Sequence, residues 1–276
     1  MNRRTFIKTS AGATLASLLA KSNLSTAGGK SLEKIGVQLY TVRDLMKKDF
    51  TGTLEKVAQA GYKEVEFAGY FDHKPEDVRQ LLTRLKLQAP AVHISIDVLR
   101  DKLDIAIQTS KTVGHKYIVC PWLSQSERSL EHYKAHAALF NKVGEACQKG
   151  GIQFAYHNHD FEFEIAAGKV PYDILLAETD PRLVQMELDL FWIKKGGQDT
   201  LAYFAKYPGR FALCHVKDMD ENGKMVDAGK GKIDFGKIFA QASQAGLKHY
   251  FVEHDNPEDP AQSITVSCQY LKSLKF

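Results

Sequence analysis

Short apolar runs alternate with amphipathic stretches along most of this 276-residue chain. Eight runs read as strands: "IGVQLY", "KEVEF", "APAVHIS", "KYIVC", "IQFAYH", "VQMELD", "FALCHVK" and "HYFVE". The stretches between them predict helices, among them Thr53–Ala60, Pro75–Leu85, Leu99–Val113, Leu130–Lys149 and Phe235–Ala245. Several of these stop at a glycine just before the next strand, in "AGYKEVE", "VGHKYIV", "KGGIQFA" and "AGLKHYF". Glycine suits that position because it takes the left-handed conformation that ends a helix. Strands alternating with helices call for a parallel sheet. Eight such units in roughly 240 residues fit an α/β fold, the (β/α)8 TIM barrel. A doubly wound sheet is the alternative, but no GxGxxG follows the first strand. No linker or low-complexity stretch divides the chain, so residues 31–276 read as a single barrel domain.

Alternation along a strand puts residues two apart on one face. In "QFAYHNH", Phe154 and Tyr156 turn to the helices, while Ala155, His157 and His159 turn to the barrel axis. The same reading turns Gln185, Glu187 and Asp189 inward and Val184, Met186 and Leu188 outward. It sends His215 and Lys217 in, with Ala212, Cys214 and Val216 out, and Glu253 in, with Tyr250 and Val252 out. Gln38, Tyr40, Glu64, Glu66 and His93 also face inward. Four consecutive strands therefore end in an inward His157, Asp189, His215 and Glu253, on the face where barrel enzymes place their chemistry. A lone inward histidine or aspartate is most often a hydrogen-bonded core residue. Four together are costly to bury unless something compensates them. One divalent cation does so, and mixed imidazole and carboxylate donors suit Mn, Zn, Co or Fe, with Mg admissible.

Composition narrows the functional classes. A net charge of +4 is small for this length, and no basic stripe interleaves with aromatics, so nucleic acid is not an expected partner. Part of that charge lies in "MNRRTFIKTSAGATLASLLAKS". Its apolar run, 11–20, is too short to span a membrane, so no stable membrane anchor is expected. Arg3 and Arg4 ahead of Phe6, Ile7 and Lys8 resemble a twin-arginine export signal, with cleavage expected after Ala27. Residues 1–27 are then a signal peptide, and the protein is periplasmic or otherwise exported. Cys120, Cys147, Cys214 and Cys268 are spread through regular elements with no CxxC, which predicts buried thiols and no structural disulfide.

The stretches "YHNHDFEF", "MELDLFW", "HVKDMD", "GKGKIDF" and "FVEHD" resemble those of the sugar phosphate isomerase/epimerase family, the xylose isomerase-like barrels. The resemblance covers nearly all of the chain after the signal. It implies one metal held at the ends of strands five to eight, commonly by Glu, Asp, His and Glu. Asp189, His215 and Glu253 match the last three, and His157 stands where the epimerases carry the first glutamate. In those epimerases the two metal-bound glutamates work as an acid–base pair; only Glu253 could do so here. The histidine-rich "YHNH" looks closer to the dehydratase branch.

A metal that chelates a carbonyl oxygen and a neighbouring hydroxyl acidifies the adjacent C–H, and a nearby base can take that proton. Glu253 is the first candidate base, followed by His159 and Glu66, with Lys217 to stabilise oxyanion charge or act as an acid. Tyr40 and Trp192 are candidates to stack on a sugar face, and Arg43 and His93 to hold substrate oxygens. The leading expectation is a metal-dependent isomerase or epimerase of a keto- or aldo-sugar. The alternative is a dehydratase or β-eliminating lyase, inosose dehydratase-like, acting on an oxo-sugar or oxo-glycoside. A sugar-binding protein without catalysis and an endonuclease IV-like DNA repair enzyme rank lower; the second needs ligands for three zincs and a basic groove. A homo-oligomer is compatible with the sequence. The run "DAGKGKIDFG" lacks the GxxxxGK[ST] spacing of a phosphate loop and reads as a turn into a helix. "HDNPEDP" reads as a loop that caps the final helix. Replacing Arg3 and Arg4 together by lysine is expected to leave folding intact and trap the protein in the cytoplasm. Cell fractionation checks this, and normal export of the double variant would show the arginine pair to be incidental.

Overall fold

Eight parallel strands close into a ring in the computed structural model, which describes residues 29–276; the segment read as a signal lies outside the described residues. The strands are β1 (Gly36–Gln38), β2 (Glu64–Phe67), β3 (Gln88–His93), β4 (Tyr117–Cys120), β5 (Gln153–His157), β6 (Val184–Asp189), β7 (Phe211–Val216) and β8 (His249–Val252). Each pairs with its neighbours in sequence, and β8 closes the ring on β1 through Gly36 opposite Phe251. Every strand is followed by a helix or helix pair, so the (β/α)8 TIM barrel expected from the alternation is the observed fold. A two-stranded ribbon, Asp218–Met219 with Met225–Val226, is inserted after β7.

Local signals set most boundaries. Helices Pro75–Leu85 and Leu130–Lys149 run over the residues expected. Pro75 opens the first, where its missing N–H is no loss. The Ser129 side chain accepts the His132 N–H at the start of the second. Gly61, Gly114 and Gly246 each take a left-handed conformation at a helix end, as expected from their place before a strand. Two expected helices are broken in two. Residues 96–113 pause at Lys102 and residues 235–245 at Gln241. The first starts before Leu99 because the Ser95 side chain caps Ile96–Asp101 through the Val98 N–H.

Two apolar layers hold the barrel. The larger lies between strands and helices. The smaller fills the axis with Ala91, Tyr117, Val119, Ala155, Leu213 and Phe251. Gly36 makes room for this inner layer, since a Cβ there would stand 2.4 Å from the Phe251 ring. Ala212, expected to face outward, joins the inner cluster instead. Met186 pairs with Phe211 but Glu187 with Leu213, so Ala212 is the extra residue of a bulge. The bulge leaves Leu213 and His215 pointing to the axis. All four cysteines are buried free thiols, in line with the sequence reading. Among the described residues no helix is long and apolar enough to cross a membrane.

His115, just ahead of β4, lies buried at the strand-entry end. Its Nδ1 lies 2.6 Å from the Ala89 carbonyl and its Nε2 2.8 Å from the Tyr70 hydroxyl. Burial pushes its pKa down to about 4, against a backbone hydrogen bond that raises it. The unfolded chain, with a histidine near 6.5, therefore binds the extra proton between those two values. Stability is complete above pH 6.5 and falls as the pH drops toward 4, by an upper bound of about 3 kcal/mol from this group. His115→Gln keeps a donor and an acceptor but does not titrate. Urea midpoints at pH 7 and pH 5 are expected to differ less in this variant than in the wild type; an unchanged difference would remove His115 from the acid response.

Candidate metal centre

The exit end of the barrel is built from residues at or next to the last position of four adjacent strands. Asp189 ends β6 and also caps helix Leu190–Lys195, its Oδ1 accepting from the Phe191 and Trp192 N–H groups at 2.9 and 2.8 Å. That use of Oδ1 leaves Oδ2 to face the axis. The neighbouring β5 end is tied to it by the Asp189 N–H, which donates to Asn158 Oδ1. His157 places Nδ1 3.2 Å from the Pro121 carbonyl, so its Nε2 is the nitrogen presented inward, 3.3 Å from Asp189 Oδ2. His215 puts Nε2 2.7 Å from Glu66 Oε2 and Nδ1 2.7 Å from Glu253 Oε2.

One donor atom from each of His157, Asp189, His215 and Glu253 lies within 4.8 Å of the others. Donors around a tetrahedral ion at roughly 2.0–2.2 Å stand about 3.3–3.6 Å apart. The spacings found are 3.3 Å for His157–Asp189, 3.8 Å for His215–Asp189 and 2.7 Å for His215–Glu253. The His215 Nδ1 is buried and makes no hydrogen bond of acceptable geometry, despite the carboxylate oxygen beside it. An unpaired buried nitrogen aimed among three other donors fits a cation better than it fits a packed core. Charge points the same way. Lys217 Nζ contacts Asp189 at 3.1 Å, Glu253 at 2.7 Å and Asp255 at 2.7 Å. Three carboxylates against one ammonium leave the charge of one divalent ion uncompensated when the imidazoles are neutral.

The ionisation states follow from these contacts. Burial opposes the charged form of Lys217, but Asp189, Glu253 and Asp255 outweigh it and hold the ammonium well above its usual range. Burial likewise opposes ionised Glu253, yet Lys217 and His215 keep its carboxyl well below the usual carboxylate range. His159 goes the other way. Burial first, then the charges of His157 and Lys217, push it down to about 2, so its imidazole is neutral. The loop that carries it is pinned by Glu162, whose Oε2 accepts the His159 N–H at 2.8 Å while Oε1 takes the Tyr156 hydroxyl.

Glu66, His93, Glu187 and the Nε2 side of His215 form a second group of metal-capable residues. Here each imidazole nitrogen is already within 2.9 Å of a carboxylate oxygen. Burial disfavours a charged His93, but Glu66 and Glu187 lift it to about 9. His93 offsets one of the two carboxylates of this group, and Glu66 orients His215 from behind, as a carboxylate behind a ligating histidine does.

A cavity of about 620 Å³ opens above the centre. Tyr40, His93, His157, His159, Lys217 and Glu253 line it, as the strand-end reading expected. Glu66 does not; it is fully buried behind His215 and takes a hydrogen bond from Gln38, which removes it as a base. Arg43 does not line it either. Its Nη1 donates to the carbonyls of Tyr40 and Asp255 and its Nη2 to Asn256 Oδ1, so it clamps two rim loops together. Trp192 sits behind His159, ring centroids 5.4 Å apart, rather than on the cavity wall. Asp255, Asn256, Ser95 and Trp122 line the cavity and went unselected in the sequence. Asp255 shares Glu253's face by simple alternation, and "HDNPEDP" caps the last helix only through Asp259. In "GKGKIDF" the N–H groups of Gly229, Gly231 and Ile233 all donate to buried Asp218, so they are not free for a phosphate.

A profile of the xylose isomerase-like TIM barrel matches residues 54–274. An inosose dehydratase from Lacticaseibacillus casei is 21% identical over 253 residues, 78% of this chain and 84% of that protein. A sugar phosphate isomerase/epimerase from Parabacteroides distasonis superposes with a TM-score of 0.76 at 26% identity, covering 91% of this chain and 96% of that one. The IOLI protein, solved with a zinc atom bound, superposes at 0.72 with 17% identity over 88% of this chain and 99% of its own.

Glu66→Gln tests the support of the centre. It leaves all four donors in place but weakens the hold on His215 Nε2. Affinity for zinc or manganese, read by competition with a fluorescent chelator, is expected to fall roughly 10- to 100-fold. Unchanged affinity would separate His215 from metal binding.

Proposed function

The chain belongs to the xylose isomerase-like TIM barrel family, and from that premise we propose a metal-dependent lyase that removes the proton beside the carbonyl of an oxo-sugar and expels a β-substituent. The observation that carries this reading is an asymmetry. Of the four donors, Glu253 is the one carboxylate that lines the cavity, and across from it stand His157 and a neutral His159 instead of a second glutamate. Two-sided proton exchange needs a base on each face of the substrate. Elimination needs one base and a leaving group.

His157, Asp189, His215 and Glu253 would hold the cation, which when bound would polarise the substrate carbonyl and acidify the neighbouring C–H. Lys217 keeps Glu253 ionised and so ready to accept that proton. The same carboxyl can return it to an oxygen that departs from the same face, so a single glutamate suffices for a syn elimination. His159, neutral and on the cavity wall, offers a hydrogen bond to the departing oxygen. Asp255 and Arg43 hold the Lys217 ammonium and the rim in place. Among the described residues Lys217 and His93 are the cations lining the cavity, and each is already held by carboxylates, Lys217 by three and His93 by two, which favours an unphosphorylated sugar. An exported location, proposed from Arg3 and Arg4, agrees with that substrate.

The second reading is isomerisation or epimerisation, favoured by the likeness to the Parabacteroides distasonis protein. Product analysis in heavy water on an oxo-sugar panel separates the two, because elimination gives an unsaturated product and isomerisation conserves composition. Glu253→Gln keeps one oxygen donor but no base. It is expected to retain metal by elemental analysis and to lose at least roughly a hundredfold in turnover and in α-hydrogen exchange. A metal-replete variant that exchanges at the wild-type rate would pass the base role to His159.

A further inference from the structure

The cavity has two unlike halves. The β5–β8 side carries His157, His159, Lys217, Glu253 and Asp255. The β1–β4 side carries two aromatic rings, Tyr40 after β1 and Trp122 after β4, with Ala68 after β2, His93 at the end of β3 and Ser95 just past it between them. The His93 imidazole is held from below by Glu187, which leaves the two rings as the exposed part of this wall. Four large hydrophobic residues are exposed among the described residues, and two of them are these rings, at 43% and 48%. Both are fixed. The Arg43 guanidinium lies 4.0 Å from the Tyr40 ring centroid. Arg128 sits 3.3 Å from the Phe161 centroid and 5.3 Å from that of Trp122, while its Nε and Nη2 donate to the Leu123 carbonyl.

Exposed, immobilised aromatics on one cavity wall are a stacking surface in search of a flat apolar face. A free oxo-sugar held by the polar half would leave that surface in water. Resting on the lyase reading above, we infer that the substrate is a glycoside: an oxo-sugar in the polar half whose anomeric substituent carries a second ring, stacked on Trp122 with Tyr40 on the far side of the opening.

The chemistry then fixes the position of the carbonyl. The anomeric oxygen is β to a carbonyl only when that carbonyl is at C3. The C2–H bond breaks and its proton passes to Glu253. The C1–O bond breaks, the C1=C2 double bond forms, and the aglycone leaves as an alcohol carrying the proton returned by Glu253. No oxidant, reductant or co-substrate is needed for this step.

Benzyl and methyl 3-oxo-glucosides test the inference, since their leaving groups are of similar basicity and differ by a ring. The wild type is expected to show a lower KM for the benzyl compound. Trp122→Ala should raise that KM roughly two- to tenfold with little change in kcat, and Trp122→Phe should restore most of it. A glucoside of glucose oxidised at C3 of its non-reducing ring, run beside them, tells an aryl aglycone from a sugar one. Equal KM values for benzyl and methyl in the wild type, or a Trp122→Ala effect that is the same on both, would overturn the aglycone subsite. If no oxo-glucoside is turned over, the lyase reading fails on its own. Calorimetric binding of the unoxidised benzyl and methyl glucosides to wild type and Trp122→Ala then decides the subsite: tighter benzyl binding lost in the variant supports it, and equal binding removes it.

Discussion

Compensation of buried carboxylates governs the exit end of this barrel. Glu66, Glu187, Asp189, Glu253 and Asp255 converge there, the first four almost without solvent. Carboxylates at such spacing cannot all remain ionised unless cations or protons are supplied among them. Lys217 serves three of them, and His93 and His215 serve the other two. The remaining deficit lies at the four donors themselves, where His215 Nδ1 has no partner of its own. The positions of the neighbours follow from this accounting. Asp189 gives one oxygen to a helix and one to the centre, His157 gives one nitrogen to Pro121, and Arg43 holds the segment bearing Asp255. Each of these contacts leaves a donor facing the axis in one fixed direction.

Two periodicities made the fold and the centre legible in the sequence. Alternation within a strand decided which side chains meet at the axis, and strand–helix alternation decided how many strands there are. His157, Asp189, His215 and Glu253 are legible because each stands at or just past the exit end of a strand, where a period of two holds locally. Asp255 shares that face but lies in the loop past Glu253, beyond the apolar run that marks the strand. Ala212 broke the rule through the bulge opposite Met186 and Glu187, an irregularity that leaves no trace in hydrophobic pattern. Helices Pro171–Glu178 and Thr200–Lys206 are short, and their signals are caps rather than stripes: Pro171 at one start and Asp199, accepting from Leu201 N–H, at the other.

Roles assigned to polar and aromatic residues beyond the strand ends were less legible, because a residue's type does not say whether its hydrogen bonds are already taken. Arg43 follows β1 and looks free to hold a substrate oxygen; its Nη1 and Nη2 bond to Tyr40, Asp255 and Asn256 within the protein. Trp192 looks like a sugar platform, but Asp189 starts a helix that carries it behind His159. Trp122 lies outside any strand, and its exposure depends on the turn through Pro121 and on Arg128 beneath its ring. Glu66 has the chemistry of a base but sits on the wrong side of His215.

The division of the cavity has a structural cause. Strands β5 to β8 end in side chains that bind one another, so their geometry is tied to the charge balance and tolerates little change. His93 at the end of β3 shares in that balance through Glu187, but Tyr40, Ala68 and Trp122, just past the ends of β1, β2 and β4, take no part in it, nor does Ser95 after β3. Those positions can vary in size and polarity without disturbing the centre, provided Arg43 and Arg128 keep the rim in place. On the reading proposed above, proton abstraction belongs to one half of the ring and recognition of the rest of the substrate to the other. A barrel suits this arrangement, because adjacent strands pair through backbone hydrogen bonds that are indifferent to which half a side chain serves.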